Sequence, residues 1–344
     1  MIPIHKPYIK RKELDSVLTC LVSDKIGPGD MGRQMMDIAA SYLELPGGTA
    51  FREPSHALSF ALDVMGIGKG AKVVISPLSP AYYLHVLQKR EVEVLFADVE
   101  CDTPCISVSA VESLLPRTPD LLLVHSPLGL LPDWEGLAEI GLPVIEDITA
   151  SVGGHNGYKK CGSWGRVVIC SMEEGDMVTT GGGALVFGRT KQILSAIKQG
   201  VQELPKSVLL SDINAALGVV QWQSIESAIT KRREIASLYV RSLSLGKHKA
   251  VLQKGESENN NSTFPVLLSG GMSEVRKYAA KKEVETAPAF GETVMAAMDM
   301  EQDRITSICP HAVPFLLRCL LFPLYPALSK QQVETVSRVI STLP

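Results

Sequence analysis

Short, continuous apolar runs recur along the middle of the chain and predict buried strands. Runs of this length, rich in Val, Ile and Leu, are typical of strands that are covered on both faces. They lie at 72–76, 92–96, 121–124, 143–146, 167–170 and 184–187. Amphipathic helical patterns fit most of the gaps, at 56–65, 82–89, 109–115 and 134–140. Because strands alternate with crossover helices, we predict an α/β fold with a mainly parallel sheet and right-handed connections.

A longer helical pattern follows the strand-rich part of the chain. It covers 212–243 and begins at Asp212, a residue type that is favoured as a helix N-cap. At the usual rise per residue, one helix over this span would be roughly 48 Å long. A helix of that length could bridge two domains.

The C-terminal region has fewer elements and a different order. It is predicted to contain a strand at 264–268 and helices at 273–282 and 330–343. We therefore expect a large domain at 1–230 and a smaller C-terminal α+β domain at 231–344.

Composition narrows the class of protein without identifying an activity. The chain has 344 residues, of which 45% are apolar and 21% are charged, as in ordinary globular proteins. Its 34 basic and 37 acidic residues leave a net charge of −3, so bulk charge does not favour nucleic-acid binding. Seven scattered cysteines argue against a disulfide framework and against a metal site, and favour a cytoplasmic location. Neither the N-terminal segment nor the apolar stretch 315–321, which Arg318 interrupts, is expected to enter a membrane.

Two glycine-rich segments match nucleotide-binding motifs only in part. The segment at 66–70 follows a helix and precedes a strand, whereas a dinucleotide fingerprint follows a strand and opens a helix. The Thr-Thr-Gly-Gly-Gly segment at 179–183 lies between two strands rather than before a helix, so it is not a P-loop. We predict a glycine-capped turn for the first segment and a turn with exposed amides for the second.

The order and spacing of several motifs resemble those of a known enzyme family. These motifs are Val-Ile-Glu-Asp at 144–147, Lys-Lys-Cys-Gly-Ser-Trp-Gly at 159–165, Cys-Ser-Met at 170–172, the turn at 179–183 and Cys-Pro-His-Ala at 309–312. In this order they resemble the DegT/StrS family of sugar-nucleotide aminotransferases, nearly from end to end. The resemblance implies the aspartate aminotransferase-like PLP-transferase fold of type I, the cofactor pyridoxal phosphate (PLP) and a homodimer.

The clearest departure from the family is at the position of its catalytic lysine. In the family, a lysine three residues before the Thr-Thr-Gly turn forms the Schiff base with PLP and then moves the proton. Counting back from Thr179 without a gap places Asp176 at that position. A carboxylate cannot form an imine, so no intact catalytic residue is predicted.

The resemblance also implies which positions lie near the cofactor. Ser55 falls in the phosphate cradle, and Tyr82 is the aromatic residue expected to stack on the cofactor ring. Asp147 falls at the position that faces the pyridine nitrogen, and Ser171 at a position close to the cofactor. We predict these residues as a vestigial cofactor site.

Further positions of that site have changed. The family's Ser-Gly-Thr cradle is 53–55 here, in which Pro54 has no N–H and Glu53 adds negative charge near a phosphate. Ala150 replaces a Gln and Glu173 replaces a His, and the loop at 207–210 has no cation where the family carries Asn and Arg. Each carboxylate near the phosphate would repel it by on the order of 1 kcal/mol or more.

These departures lead to three hypotheses. The preferred one is a catalytically degenerate homologue, a pseudoenzyme without cofactor that binds a sugar nucleotide or a partner enzyme of sugar-nucleotide or polysaccharide biosynthesis. The alternative is an active aminotransferase or dehydratase that uses PLP or its amino form PMP on a nucleotide-linked keto-sugar, with Asp176 as the base. The third is a subunit that completes the site of an active paralogue.

Overall fold

The structure is a computed structural model that describes residues 1–244, 246–298 and 302–344, apart from the side chains of 302–304. Its helices are α1 (Arg11–Val22), α2 (Asp30–Leu43), α3 (Pro54–Val64), α4 (Ala81–Lys89), α5 (Val108–Leu114), α6 (Trp134–Glu139), α7 (Lys191–Gln202), α8 (Asp212–Gln223), α9 (Ile225–Leu243), α10 (Met272–Lys281), α11 (Val294–Ala297), α12 (Gln302–Ile308), α13 (Ala312–Arg318) and α14 (Lys330–Ser341).

The strands of the described residues form three sheets. They are β1 (Gly48–Phe51), β2 (Lys72–Ile75), β3 (Glu93–Phe96), β4 (Leu121–His125), β5 (Val144–Asp147), β6 (His155–Asn156), β7 (Lys159–Lys160), β8 (Val167–Ser171), β9 (Ala184–Gly188), β10 (Lys249–Ala250), β11 (Ser257–Glu258), β12 (Phe264–Leu267), β13 (Ala287–Pro288) and β14 (Cys319–Phe322).

A seven-stranded sheet with the order β1-β9-β8-β5-β4-β2-β3 forms the centre of the molecule. The pairs β2–β3, β2–β4, β4–β5 and β5–β8 are parallel, whereas β9 is antiparallel to both β8 and β1. The predicted apolar runs all appear as strands of this sheet. The mixed α/β architecture with a mainly parallel sheet is therefore confirmed.

Both faces of the central sheet are covered, which explains why its strands read as continuous apolar runs. One face packs against α2, α5, α6 and α8, with Met35, Val111, Trp134 and Trp222 in the shared core. The other face packs against α3, α4 and α7. All residues of β8 are buried, so no side chain of this strand faces solvent.

A smaller antiparallel sheet with the order β10-β12-β14-β13 lies in the C-terminal part of the chain. Its residues share a core with α9, α10 and α14, in which Tyr239 packs edge-on against Phe264 with ring centroids 5.1 Å apart. Helix α9 passes through residue 230, so the boundary between 1–230 and 231–344 stays a prediction.

The predicted single long helix is wrong, because the chain forms α8 and α9 with a break at Ser224. This residue has φ −106° and ψ 5°, and its Oγ lies 3.0 Å from the carbonyl oxygen of Val220. Three hydroxyls within α9 make the same bond without a break, so this bond alone does not end α8. The predicted N-cap role of Asp212 is also wrong, because Ser211 occupies that position.

Asp212 instead ties α8 to the start of α2. Its Oδ1 accepts hydrogen bonds from the amides of Gly29 and Gly32, both at 2.9 Å. These amides belong to the N-terminal turn of α2, which leaves them without partners inside the helix. In the described part of the chain, no helix is both long enough and apolar enough to cross a bilayer.

Candidate functional site

The candidate site lies where parallel strands of the central sheet end. His125 is the last residue of β4, Asp147 of β5 and Ser171 of β8. His125 and Asp147 are paired in register across β4 and β5. Because the carboxyl ends of parallel strands meet at one edge, the sheet brings these polar side chains together. Ligands of α/β sheets commonly bind at such an edge.

The carboxylate of Asp147 is buried, and both of its oxygens accept hydrogen bonds from residues of the same chain. Oδ2 accepts a hydrogen bond from the hydroxyl of Tyr83 at 2.5 Å, and the hydroxyl of Tyr82 lies 3.5 Å away. Oδ1 accepts from the amide of Thr149 at 2.9 Å and from its hydroxyl at 2.5 Å. Burial raises the pKa of Asp147, while these hydrogen bonds act in the opposite direction.

The two tyrosines lie next to each other at the start of α4. Tyr83 is fully buried, and its ring meets that of Tyr82 edge-on with centroids 4.9 Å apart. Burial raises the pKa of both hydroxyls, with the nearby Asp147 adding to the effect. Both tyrosines are therefore neutral hydrogen-bond donors near neutral pH.

Asp176 closes the turn that follows β8. Its Oδ2 accepts hydrogen bonds from the hydroxyl of Ser171 at 2.6 Å and from the amide of Glu173 at 2.7 Å. Burial raises the pKa of Asp176 to about 7, and the neighbouring Asp147 and Glu173 contribute in the same direction. Asp176 is thus a hydrogen-bonded residue of the turn and not a freely solvated one.

Hydrogen bonds connect Asp147 to Asp176 through the side chain of Thr149. The Thr149 hydroxyl, which donates to Asp147, accepts a hydrogen bond from the amide of Ser171 at 2.8 Å. Ser171 in turn donates to Asp176. Of the residues predicted from the sequence, the structure therefore joins Tyr82, Asp147, Ser171 and Asp176 in one network.

Ser55 lies outside this network. Its hydroxyl donates to Oε1 of Glu53 at 2.8 Å, and the same oxygen lies 2.7 Å from Nδ1 of His56. Helix α3 begins at Pro54, which has no N–H to donate. The start of this helix therefore presents a carboxylate and lacks one of the amides that usually bind anions.

The turn at 179–183 differs from its prediction. Instead of being exposed, the amides of Thr180 and Gly182 donate to the carbonyl oxygen of Met172, at 3.0 and 3.3 Å. The amide of Gly181 donates to the hydroxyl of Thr179 at 3.1 Å. Because these amides have partners within the chain, the turn does not offer them to a ligand.

His125 borders a small cavity at the strand ends. Its Nδ1 lies 3.3 Å from the hydroxyl of Ser79, and burial lowers its pKa to about 4, so the ring is neutral at pH 7. The cavity has a volume of about 250 Å³. It is also lined by Ser126 and Ala150, and the buried Ser126 hydroxyl has no partner among the described residues.

The lysines nearest to Asp176 in the motif region are engaged elsewhere. Lys159 places its Nζ 4.2 Å from the centroid of the Trp164 ring. Lys160 donates to the carbonyl oxygen of Tyr42 at 3.0 Å and pairs with Glu44 at 2.8 Å. Within 1–244, 246–298 and 302–344, no cluster of His, Cys, Asp and Glu side chains could hold a metal ion.

Sequence reasoning missed Tyr83 and Thr149, although both contact Asp147 directly. A threonine two residues after a strand-end aspartate is a signal for a local side-chain hydrogen bond. No local pattern distinguishes Tyr83 from Tyr82, because only the orientation of α4 decides which hydroxyl reaches Asp147.

Comparison with known proteins gives consistent results along the chain. The sequence profile of the DegT/DnrJ/EryC1/StrS aminotransferase family matches residues 7–341. A GDP-perosamine synthase of Escherichia coli O157:H7 is 25% identical over 99% of this chain and 98% of its own length.

Solved structures agree on the fold. A protein of Streptococcus pneumoniae described as a sugar aminotransferase, in its PLP form, has a TM-score of 0.91 at 17% identity, covering 99% of this chain and 98% of its own. The E. coli GDP-4-keto-6-deoxy-D-mannose-3-dehydratase with bound hydrated PLP has a TM-score of 0.86 at 13% identity, covering 99% of both chains. The fold is therefore the PLP-transferase fold.

Proposed function

Because this chain belongs to the DegT/DnrJ/EryC1/StrS aminotransferase family, we propose that it is a member that neither binds PLP nor transaminates. In this proposal it keeps the cleft at the strand ends for a nucleotide-linked sugar or a related metabolite. The observation that carries the proposal is the contact between Tyr83 and Asp147.

Asp147 stands at the position that, by family resemblance, faces the pyridine nitrogen of the cofactor. Here the hydroxyl of Tyr83 already donates to Oδ2 of this carboxylate at 2.5 Å, from a fully buried ring. A cofactor ring would have to share this oxygen with Tyr83 or displace that donor. Breaking a hydrogen bond to a charged group costs roughly 1.5–3 kcal/mol. Moving a buried aromatic ring adds to this cost, because interiors are closely packed.

Asp176 supports the same proposal. It has no amine for an imine, and its carboxylate closes the turn after β8 through Ser171 and Glu173. The amine that would hold PLP is therefore replaced by a group with a structural role in the turn.

The phosphate end of the family's cofactor site is also unsuited to PLP. Pro54 removes an amide from the start of α3, and Glu53 places a carboxylate beside Ser55. A phosphate there would meet a negative charge where the family has neutral donors. The residues of this chain thus fit PLP at neither the ring nor the phosphate.

The cavity beside His125 supports binding of a hydroxylated ligand. Neutral imidazole and the unpartnered hydroxyl of Ser126 can both exchange hydrogen bonds with sugar hydroxyl groups. The relative from E. coli O157:H7 is a GDP-perosamine synthase, which makes a nucleotide-linked sugar the first ligand class to test.

We also propose that the chain forms a homodimer and works in the cytoplasm. Helix α1 presents Leu14, Leu18, Leu21 and Val22 to solvent, with 56%, 58%, 42% and 83% of each exposed. Contiguous exposed apolar residues on one helix mark interaction surfaces. All seven cysteines are free thiols in the structure, and a reducing compartment would keep them so.

The second candidate is an enzyme that uses PLP or PMP on a nucleotide-linked keto-sugar. The observation that favours it is the pKa of Asp176, which burial raises to about 7. A carboxyl group with that pKa is suited to exchanging protons near neutral pH. The similarity in fold to a dehydratase with bound hydrated PLP is compatible with this candidate.

One set of spectra separates the two candidates. Purified protein is mixed with PLP, dialysed and scanned for the visible absorbance of lysine-bound PLP, before and after borohydride reduction. We expect no retained absorbance, together with saturable binding of a GDP-, dTDP- or UDP-linked sugar in calorimetry. Retained PLP, or turnover of a keto-sugar with PMP, would favour the second candidate.

A further inference from the structure

Arg232 is a buried cation in the middle of α9. Its side chain lies at the junction between α9 and the smaller sheet, and only 9% of the residue is exposed. Burial lowers its pKa to about 10, so the guanidinium remains charged at neutral pH. No carboxylate of the described residues lies within 4.0 Å of it, since every ion pair there involves other side chains. Buried charges normally have a counter-charge.

The hydrogen bonds of Arg232 are also incomplete. Nη1 donates to the carbonyl oxygens of Ser262 and Leu324, at 2.7 and 2.5 Å. Nε is buried without any partner, and the hydrogen bonds of Arg232 to the described residues involve only Nη1. A guanidinium has five N–H donors in a planar fork, and its Nε–Nη2 edge is the edge that binds a carboxylate through two parallel bonds.

A cavity of about 160 Å³ adjoins this side chain and separates α8 and α9 from the N-terminal segment and the smaller sheet. Ser262 lines the cavity as well, and its buried hydroxyl has no hydrogen-bond partner. Lys6 adds a second cation to the lining. Unsatisfied donors from two separate elements thus border one partly open cavity, which is the arrangement that an oxyanion would complete.

The acidic residues of the same cavity limit the charge of that anion. Glu174 and Asp176 belong to its lining, although the Asp176 carboxylate bonds to Ser171 and to the amide of Glu173. These carboxylates repel a doubly charged phosphate more strongly than a singly charged group. We propose that the cavity binds the carboxylate group of a small organic acid, held by the free edge of the Arg232 guanidinium and by the hydroxyl of Ser262.

This proposal is independent of the proposed function. The cavity touches the turn that carries Asp176, but the Tyr83–Asp147 contact and the cavity beside His125 are not part of it. It can hold whether or not PLP binds, so the two proposals fail separately.

Saturation-transfer NMR on the full chain without PLP tests the proposal. The probes are acetate, its neutral isostere acetamide, and inorganic phosphate as a competitor of acetate. Arg232→Met removes the cation, and Arg233→Met removes the same charge from the neighbouring position of α9, where the side chain pairs with Glu258. Ser262→Ala removes a hydroxyl that makes no hydrogen bond in the fold, so this variant keeps its stability.

We expect a saturable signal for acetate and none for acetamide, and phosphate should compete poorly. The signal should vanish in Arg232→Met, stay unchanged in Arg233→Met and weaken about fivefold in affinity in Ser262→Ala, the loss of one hydrogen bond. If Arg232→Met does not fold, Ser262→Ala decides the test. Equal signals for acetate and acetamide, tighter binding of phosphate, or unaltered acetate affinity in Ser262→Ala would overturn the proposal.

Discussion

The hydroxyl of Tyr83 donates a 2.5 Å hydrogen bond to Oδ2 of Asp147, and the ring that carries this hydroxyl is fully buried. Thr149 occupies the other carboxylate oxygen through its amide and its hydroxyl. Both oxygens of the carboxylate therefore accept hydrogen bonds from the chain itself. A residue that the family resemblance assigns to a cofactor ring serves here as an acceptor that fixes the start of α4 against the end of β5.

Tyr83→Phe should destabilise the protein by about 1–3 kcal/mol, because it leaves a buried carboxylate oxygen without its closest donor. The ring stays, so packing changes little. Tyr82→Phe is the matched control, since its hydroxyl lies 3.5 Å from the same oxygen, and its cost should be well below that of Tyr83→Phe. Urea denaturation at pH 7 gives both free energies of unfolding. Equal losses would contradict the assignment of Tyr83 as the main donor.

Asp176 should make the stability of the protein depend on pH. Its folded-state pKa of about 7 lies above the ordinary aspartate value of 3.8, so between these two values the folded state binds a proton that the unfolded state has released. The proton on Asp176 therefore makes its full contribution to the free energy of unfolding below about pH 4. This contribution is lost as the pH rises to about 7. Asp176→Asn keeps an acceptor oxygen for Ser171 and Glu173 but removes the titration.

We expect Asp176→Asn and the wild type to have similar stability at low pH. The variant should be more stable above pH 7, by at most a few kcal/mol. Thermal denaturation in a series of buffers measures the difference. A gap between the two proteins that is constant with pH would show that Asp176 does not titrate in this range.

Strand positions could be predicted because the central sheet is covered on both faces. In β8 every residue is buried, so the sequence is apolar from Val167 to Cys170, and that pattern is visible locally. The break at Ser224 could not be predicted in the same way. Serine is tolerated within helices, and the apolar positions continue on both sides, from Trp222 to Ile225 and Ile229. The hydroxyl of Ser224 bonds back to Val220, but three hydroxyls within α9 make the same bond without a break, so no local signal marks the end of α8.

Part of the candidate site could also be predicted from the sequence. Motif spacing located Asp147, Ser171 and Asp176, since these residues lie next to strands that the sequence predicts well. Spacing could not reveal that Tyr83 reaches Asp147, because that contact joins residues far apart in the chain through the packing of α4. The family resemblance suggested which residues had changed, and the tertiary structure was needed to identify what each one contacts.

Lysine at position 176 should not by itself restore stable PLP binding. Asp176→Lys supplies the amine, but Tyr83 would still donate to the oxygen of Asp147 that a pyridine nitrogen would contact. The double variant Asp176→Lys, Tyr83→Ala removes both obstacles. After incubation with PLP and dialysis, we expect retained visible absorbance in the double variant and little in Asp176→Lys or Tyr83→Ala alone. Equal absorbance in Asp176→Lys and the double variant would show that Tyr83 does not block the site.

The exposed stripe on α1 should be the contact between two copies of the chain. Leu18 lies in its middle and is 58% exposed, so Leu18→Glu should add a charge to an apolar interface without disturbing the monomer. Leu317→Glu is the matched control, since Leu317 is 52% exposed on α13. Light scattering after size exclusion should report a dimer for the wild type and for Leu317→Glu, and a monomer for Leu18→Glu. Because burying an unpaired charge is costly, a dimer that survives Leu18→Glu would place the interface elsewhere.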